Sequence, residues 1–245
     1  GLGAGLDTNS SLSSIKALAI YNNELYAGGI FNNSGGNPLS FIARWDGTNW
    51  LPVGTGINGK VSSLAVYNNE LYAGGTFTNA GGTAVNNIAK WDGLNWGDVD
   101  GGVNYTGAIT VSALQVYNGD LYAGGTFTSA GTTSVNNIAK WNGVSWQDVG
   151  GGATNYTGAI TVSAFQVFNG NLVAGGSFYT LGSATSNFIG KWDGSSWSNM
   201  GSGTLQLTGA GITQTGAIIQ AASAGAVTLN AGANVITLNN ASTTG

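Results

Sequence analysis

A tryptophan-bracketed hexapeptide recurs four times in this chain, and its spacing restricts the fold more than any other feature. WDGTNW (45–50), WDGLNW (91–96), WNGVSW (141–146) and WDGSSW (192–197) begin 46, 50 and 51 residues apart. A second signature, LYAGG or LVAGG, places its first glycine at Gly28, Gly74, Gly124 and Gly175, with the same spacings. Most of the extra length in the later copies is one insertion, NYTGAITV, present at 104–111 and again at 155–162. Self-similarity with a period of about 40–50 residues marks a repeat architecture, in which each unit buries its apolar face against the next.

Each unit reads as four short strands. The first is apolar and alternating, as in SLAVY at 63–67. A two-residue turn follows: Asn68-Asn69, Asn118-Gly119 or Asn169-Gly170. Asn and Gly tolerate the positive φ angles that a type I′ hairpin turn demands. The second strand, ELYAGGTF, carries paired glycines, which remove side chains where another backbone or a large ring must approach closely. After a polar loop such as TNAGGTAVN, the third strand is NIAKW and the fourth begins at the second Trp of the hexapeptide. Between them stands hairpin chemistry again, at Asp46-Gly47, Asp92-Gly93, Asn142-Gly143 and Asp193-Gly194. Four strands per repeat predict an all-β fold: a β-propeller-like array of four four-stranded blades over 15–203, or part of a larger ring. Rings between the blades would supply the contact, each burying roughly 150–250 Å².

The two signatures together resemble the kelch and galactose-oxidase-like propeller repeat. In that family a hydrophobic strand ends in a double glycine, followed by an aromatic-Asp turn and a Trp a few residues later. LYAGG matches the first part and the four hexapeptides match the second, with Trp in place of the usual Tyr before the turn. The resemblance implies packing between blades for the second Trp of each pair. It does not carry over the oxidase chemistry, which in the family needs histidines and a cysteine-linked tyrosine, because the chain has neither His nor Cys.

The ends depart from the pattern. GLGAGLDTNSS resembles the tail of a fourth strand, so 1–14 is expected to be a partial blade or a strand-closing segment. From about Thr204 the aromatics stop, and 204–245 is a Gly/Ala/Thr-rich tail of short alternating apolar stretches. AVTLNAGANVITLNN within it is similar to the β-solenoid rungs of filamentous-haemagglutinin-type adhesins, which predicts a solenoid-like or strand-donating tail.

Nearly every charge is a copy of another. Arg44, Lys90, Lys140 and Lys191 share one repeat position; Glu24, Glu70 and Asp120 share a second; Asp46, Asp92 and Asp193 share a third. Asp98 and Asp148 form a matched pair, leaving Asp7, Asp100, Lys16 and Lys60 outside the scheme. An active site needs singular residues, and none clusters here, so no catalytic residue, cofactor or metal site is expected. Asp98-Val-Asp100-Gly-Gly offers too few oxygens for calcium by itself. Six basic residues and a net charge of −4 provide no stripe for nucleic acid. No apolar run reaches the roughly 20 residues of a membrane-spanning helix.

These readings predict a non-enzymatic, bacterial-type protein that is secreted or on the cell surface. Its role would be structural or adhesive, with self-association or contact with other surface proteins through strand edges. Only 7% of its residues are charged, which suits dense assembly into a fibre, sheath or matrix. The alternative is a multivalent carbohydrate-binding propeller lectin, in which Trp45, Trp91, Trp141 and Trp192 would be the sugar platforms.

Overall fold

The computed structural model describes residues 5–7, 13–104, 107–155 and 159–200, together with backbone pairing at 206–208, 213–214, 228–230 and 237–238. The remaining parts of the expected N-terminal segment, of the repeated insertion and of the tail lie outside the described residues.

The four expected blades are present as four-stranded antiparallel sheets. Blade 1 contains Ser14–Tyr21, Glu24–Ile30, Ile42–Trp45 and Trp50–Pro52; blade 2 contains Lys60–Tyr67, Glu70–Thr76, Ile88–Trp91 and Trp96–Gly97. Blade 3 contains Thr110–Tyr117, Asp120–Thr126, Ile138–Trp141 and Trp146–Asp148; blade 4 contains Thr161–Phe168, Asn171–Ser177, Ile189–Trp192 and Trp197–Asn199. Within each sheet the strands lie side by side in chain order. The first strands of successive blades lie next to one another, so the blades form a stacked, propeller-like series. The turns obey the sequence chemistry: Asn68 and Asn69 have φ of 48° and 61°, and Asn118 has 48° before Gly119 at 84°.

A β-bulge occurs at the same place in every first strand, between Ile15/Ala17, Val61/Ser63, Val111/Ala113 and Val162/Ala164. Side chains three apart on a regular strand point to opposite faces, and a bulge cancels that alternation. Val61 and Leu64 therefore both reach Gly28 of the preceding blade. The bulge also explains the second glycine of each pair. A Cβ at Gly29, Gly75, Gly125 or Gly176 would sit about 2 Å from the carbonyl oxygen of Ser14, Lys60, Thr110 or Thr161 in its own blade. One glycine of each pair admits the neighbouring blade, and the other admits the bulged strand. Close approach was the expected reason; the intruding groups are a valine and a carbonyl, with a ring joining them only at Gly124, where Phe165 also comes near.

Three buried apolar clusters fill the three joints between blades. Each contains a Tyr from one blade and both Trp residues of the next: Tyr21 with Trp91 and Trp96, Tyr67 with Trp141 and Trp146, Tyr117 with Trp192 and Trp197. A smaller cluster lies on blade 1, where Leu6 packs against a group including Phe31, Leu39 and Trp50. The chain between blades is stapled onto the next blade. Ile57 bridges Ala80, Val103–Asn104 pairs with Ser129–Ala130, and Ala153–Thr154 pairs with Thr180–Leu181. Asp7 makes the corresponding bridge to Asn33, with its N–H donating to the Asn33 carbonyl at 3.0 Å. Residues 5–7 thus behave as the tail of a fourth strand.

The chain divides into two compact units, Gly1–Ser198 and Asn199–Gly245. The N-terminal residues belong with the blades, and the division falls a few residues before the expected boundary at 203/204. In the second unit Gln206–Thr208 pairs in parallel with Thr228–Asn230, and Thr213–Gln214 pairs in parallel with Thr237–Leu238.

Candidate functional site

The repeated charges are engaged within their own blades. Arg44 pairs with Glu24 at 2.5 Å, Lys90 with Glu70 at 3.1 Å and Lys140 with Asp120 at 2.9 Å, all across adjacent strands and partly exposed. In blade 4 the acidic partner is replaced by Asn171, opposite Lys191's strand. The hexapeptide aspartates close their own turns. Asp92 Oδ1 accepts from the N–H groups of Leu94 and Asn95, both at 2.7 Å, and Asn142 Oδ1 accepts from Val144 and Ser145 at 2.9 and 2.8 Å. These backbone donors hold the carboxyls of Asp46, Asp92 and Asp193 below the usual aspartate value. A neutral amide does the same work in blade 3, so the turn needs an acceptor and not a charge.

Asp98 and Asp148 are likewise committed, accepting the Gly101 and Gly151 N–H at 2.6 and 2.8 Å. Among the described residues, no three His, Cys, Asp or Glu side chains gather where a metal ion could bind.

The tryptophans need a correction. Trp91, Trp141 and Trp192 are only 5–6% exposed, and their partners Trp96, Trp146 and Trp197 are as deeply buried. Each pair meets at 5.3–5.4 Å between ring centres, tilted by 48°. The second indole of each pair is tied to the preceding blade: Trp96, Trp146 and Trp197 Nε1–H donate to the carbonyls of Val53, Val99 and Val149 at 3.0, 2.8 and 2.7 Å. The first indoles lack a well-formed hydrogen bond at Nε1, and their polar neighbours are the phenols of Tyr26, Tyr72 and Tyr122 in the preceding blade. A ring enclosed in this way cannot stack on a sugar. Trp91, Trp141 and Trp192 are therefore structural joints, and the expectation of one sugar platform per blade fails for them.

Trp45 differs because no blade precedes it among the described residues. It is half-buried and lines a pocket of about 430 Å³ with Ile20, Asn23, Glu24, Leu25, Asp46 and Gly47. Around it the outer side of blade 1 is strongly apolar and open: Ile15, Leu18 and Ile20 are 42%, 61% and 71% exposed. The opposite side of blade 4 is open as well, with Phe168, Phe188 and Ile189 at 57%, 52% and 45%. Inside the array Val61, Tyr117 and Ile138, the counterparts of Ile15, Phe168 and Ile189, are 4% exposed or less, while Val66, the counterpart of Ile20, is 37% exposed.

These end residues were missed because the sequence was searched for charges that break the repeat. The usable signal was apolar. Blade 4 carries Phe168 where earlier blades have Tyr21, Tyr67 and Tyr117, Val173 where they have Tyr26, Tyr72 and Tyr122, and Phe188 where blades 2 and 3 have Asn87 and Asn137. Asn137 is buried at a positive φ, and its side chain bonds the Phe127 N–H and the Ala153 carbonyl. Phe188 holds φ at 76° without those bonds, a conformation rare for an aromatic residue.

No family model matches the sequence, and no curated protein matches it. Similar solved structures include the computationally designed Ika4 protein, at 17% identity with a TM-score of 0.44, covering 78% of this chain and 98% of that one. The designed Ika8 protein matches at 17% identity and a TM-score of 0.43, covering 81% of this chain. YCF48 bound to D1 peptide matches at 14% and 0.40, covering 78%. The match spans 51% of the Ika8 chain and 52% of the YCF48 chain, about half of each.

Proposed function

We propose that this chain is a non-enzymatic structural or adhesive module of a secreted or cell-surface protein, working by self-association into a larger assembly such as a fibre, sheath or matrix. The observation that carries the reading is the pair of exposed apolar blade faces, one at each end of the described array, whose inner joints are buried and aromatic. Exposed apolar surface of this extent marks a place where proteins meet. The repeated charges of blades 1 to 3 support the same view, since Arg44, Lys90 and Lys140 are spent on cross-strand pairs and Asp46 and Asp92 on turns. The scarcity of Lys and Arg, six in 245 residues, fits a role outside the cell, where tryptic cleavage sites are a liability. Sedimentation velocity over a range of concentrations, with electron microscopy of the same samples, tests the reading. Growth of larger species with concentration supports it, and a single monomeric species throughout refutes it.

A carbohydrate reading survives in narrower form. The half-buried Trp45 beside Asp46, Glu24 and Asn23 is one platform with polar groups at its rim. It predicts a single saturable site, read by tryptophan fluorescence during titration with oligosaccharides; Trp45→Ala would abolish the signal.

A further inference from the structure

We propose that the partner is a second copy of this chain, and that blade 4 of one copy docks on blade 1 of the next as a further instance of the internal blade joint. This rests on the self-association reading above and specifies its surfaces.

The internal joints supply the template. In each, a glycine of the second strand receives a valine from the following blade: Gly28 receives Val61, Gly74 receives Val111 and Gly124 receives Val162. A Cβ on these glycines would come within 2.4, 2.5 and 2.6 Å of the valine Cγ1. Gly175 occupies the same position in blade 4, but there a Cβ would meet only the Phe188 carbonyl oxygen, at 3.9 Å. The space is kept free although nothing in the described chain fills it. The matching β-branched residue at the other end is Ile15, exposed on blade 1.

Two further positions agree. Across the second and third joints, Thr76 Oγ1 meets Thr110 Oγ1 at 3.1 Å and Thr126 Oγ1 meets Thr161 Oγ1 at 3.0 Å. The corresponding residues at the open ends are Ser177 and Ser14, again a hydroxyl for a hydroxyl. Phe41 in blade 1, with φ of 61°, packs into the first joint against blade 2. Phe188 stands at the equivalent position of blade 4 in the same backbone region, yet over half of it is exposed. A strained φ at an aromatic residue is sustained by surrounding contacts, and a docked blade 1 would provide them.

The occupant is another copy, for two reasons. Residues 204–245, which directly follow blade 4, contain neither the double-glycine strand nor the Trp hexapeptide, so they do not supply a blade to cover it. Blade 1 already holds a connector, because residues 5–7 bridge Asn33 as Asn58 joins Asn79. An incoming blade needs to contribute only its sheet. A joint between two different surfaces repeats from copy to copy, giving a closed ring where the rotation closes and a filament where it does not.

Two variants of the full chain test this, each disabling one end. Gly175→Leu fills the cavity meant for Ile15, and Ile15→Glu places a charge on the other face. By sedimentation velocity each variant alone should associate at least about 30-fold more weakly than the wild type. Thermal melting at high dilution checks that both remain folded. Mixed together, the two variants should form a complex of two copies and stop there, since each retains one intact face. If the wild type associates and both variants do so equally well, the joint is wrong while self-association stands. If the wild type never associates, both fall. Variants that are monomeric alone and also fail to combine overturn the pairing of unlike ends.

Discussion

Gly28 and Val61 are in contact across the first blade joint, so closely that a Cβ on Gly28 would lie 2.4 Å from Val61 Cγ1. Because the contact recurs at Gly74 and Val111, Gly74→Val should destabilise the chain by about 1–3 kcal/mol through overpacking. Gly175→Val, at the same repeat position on the open end, should change the dilute chain by no more than about 0.5 kcal/mol. Urea unfolding of the two variants side by side measures the difference.

Trp96, a second tryptophan of its hexapeptide, should matter more than Trp45, the half-buried first tryptophan of blade 1. Trp96→Ala removes a buried ring and should cost about 3–5 kcal/mol. Trp96→Phe keeps much of the packing but leaves the Val53 carbonyl without its donor, a loss of about 1–3 kcal/mol. Trp45→Ala, half-buried on the outer side of blade 1, should cost less than Trp96→Ala in the same denaturation experiment.

Acid should weaken the hexapeptide turns of blades 1, 2 and 4 and spare that of blade 3. The carboxyls of Asp46, Asp92 and Asp193 are held below their ordinary value by backbone N–H groups. Their contribution to stability is present above the unfolded value of about 4 and is lost as pH falls through the lower folded values. Asn142 has no proton to gain. Replacing all three aspartates with Asn should leave the neutral melting temperature near that of the wild type and reduce the acid dependence, as followed by melting from neutral to strongly acidic pH.

Alkali should act through the buried phenols. Burial pushes Tyr122 up to about 12, and burial also raises Tyr26. A folded value above the unfolded one, about 10, means that the stabilisation is complete below that pH and disappears as pH rises through the folded value. Tyrosinate absorbance should therefore show a late fraction of phenols ionising together with the loss of structure. Tyr122→Phe should remove part of that late fraction.

Much of this architecture could be read from residue order. The period set the number of blades, alternation and Asn-Gly turns set the hairpins, and SLAVY became the end of the strand Lys60–Tyr67. Close approach at the double glycine could be read, but not which groups approach, because that depends on a bulge that brings the Lys60 carbonyl to about 2 Å from where a Gly75 Cβ would be. Nor does a tryptophan's type reveal its surroundings. Trp45 and Trp91 sit in nearly identical hexapeptides, and only the presence of a preceding blade makes one accessible and the other enclosed. Exposure at a repeat terminus is a property of the neighbours, which local sequence does not encode. The blade 4 end was instead marked by substitutions such as Val173 for Tyr and Phe168 for Tyr, legible only once the blades were superposed.

Strand order within each sheet follows the chain without crossing. Unequal recombination between two copies of the repeat, wherever the break falls in the cycle, would therefore add or delete one complete blade and leave every other pairing untouched. Length in this molecule is a quantity that a lineage can dial up or down in whole steps, with the distinctive terminal surfaces carried along unchanged.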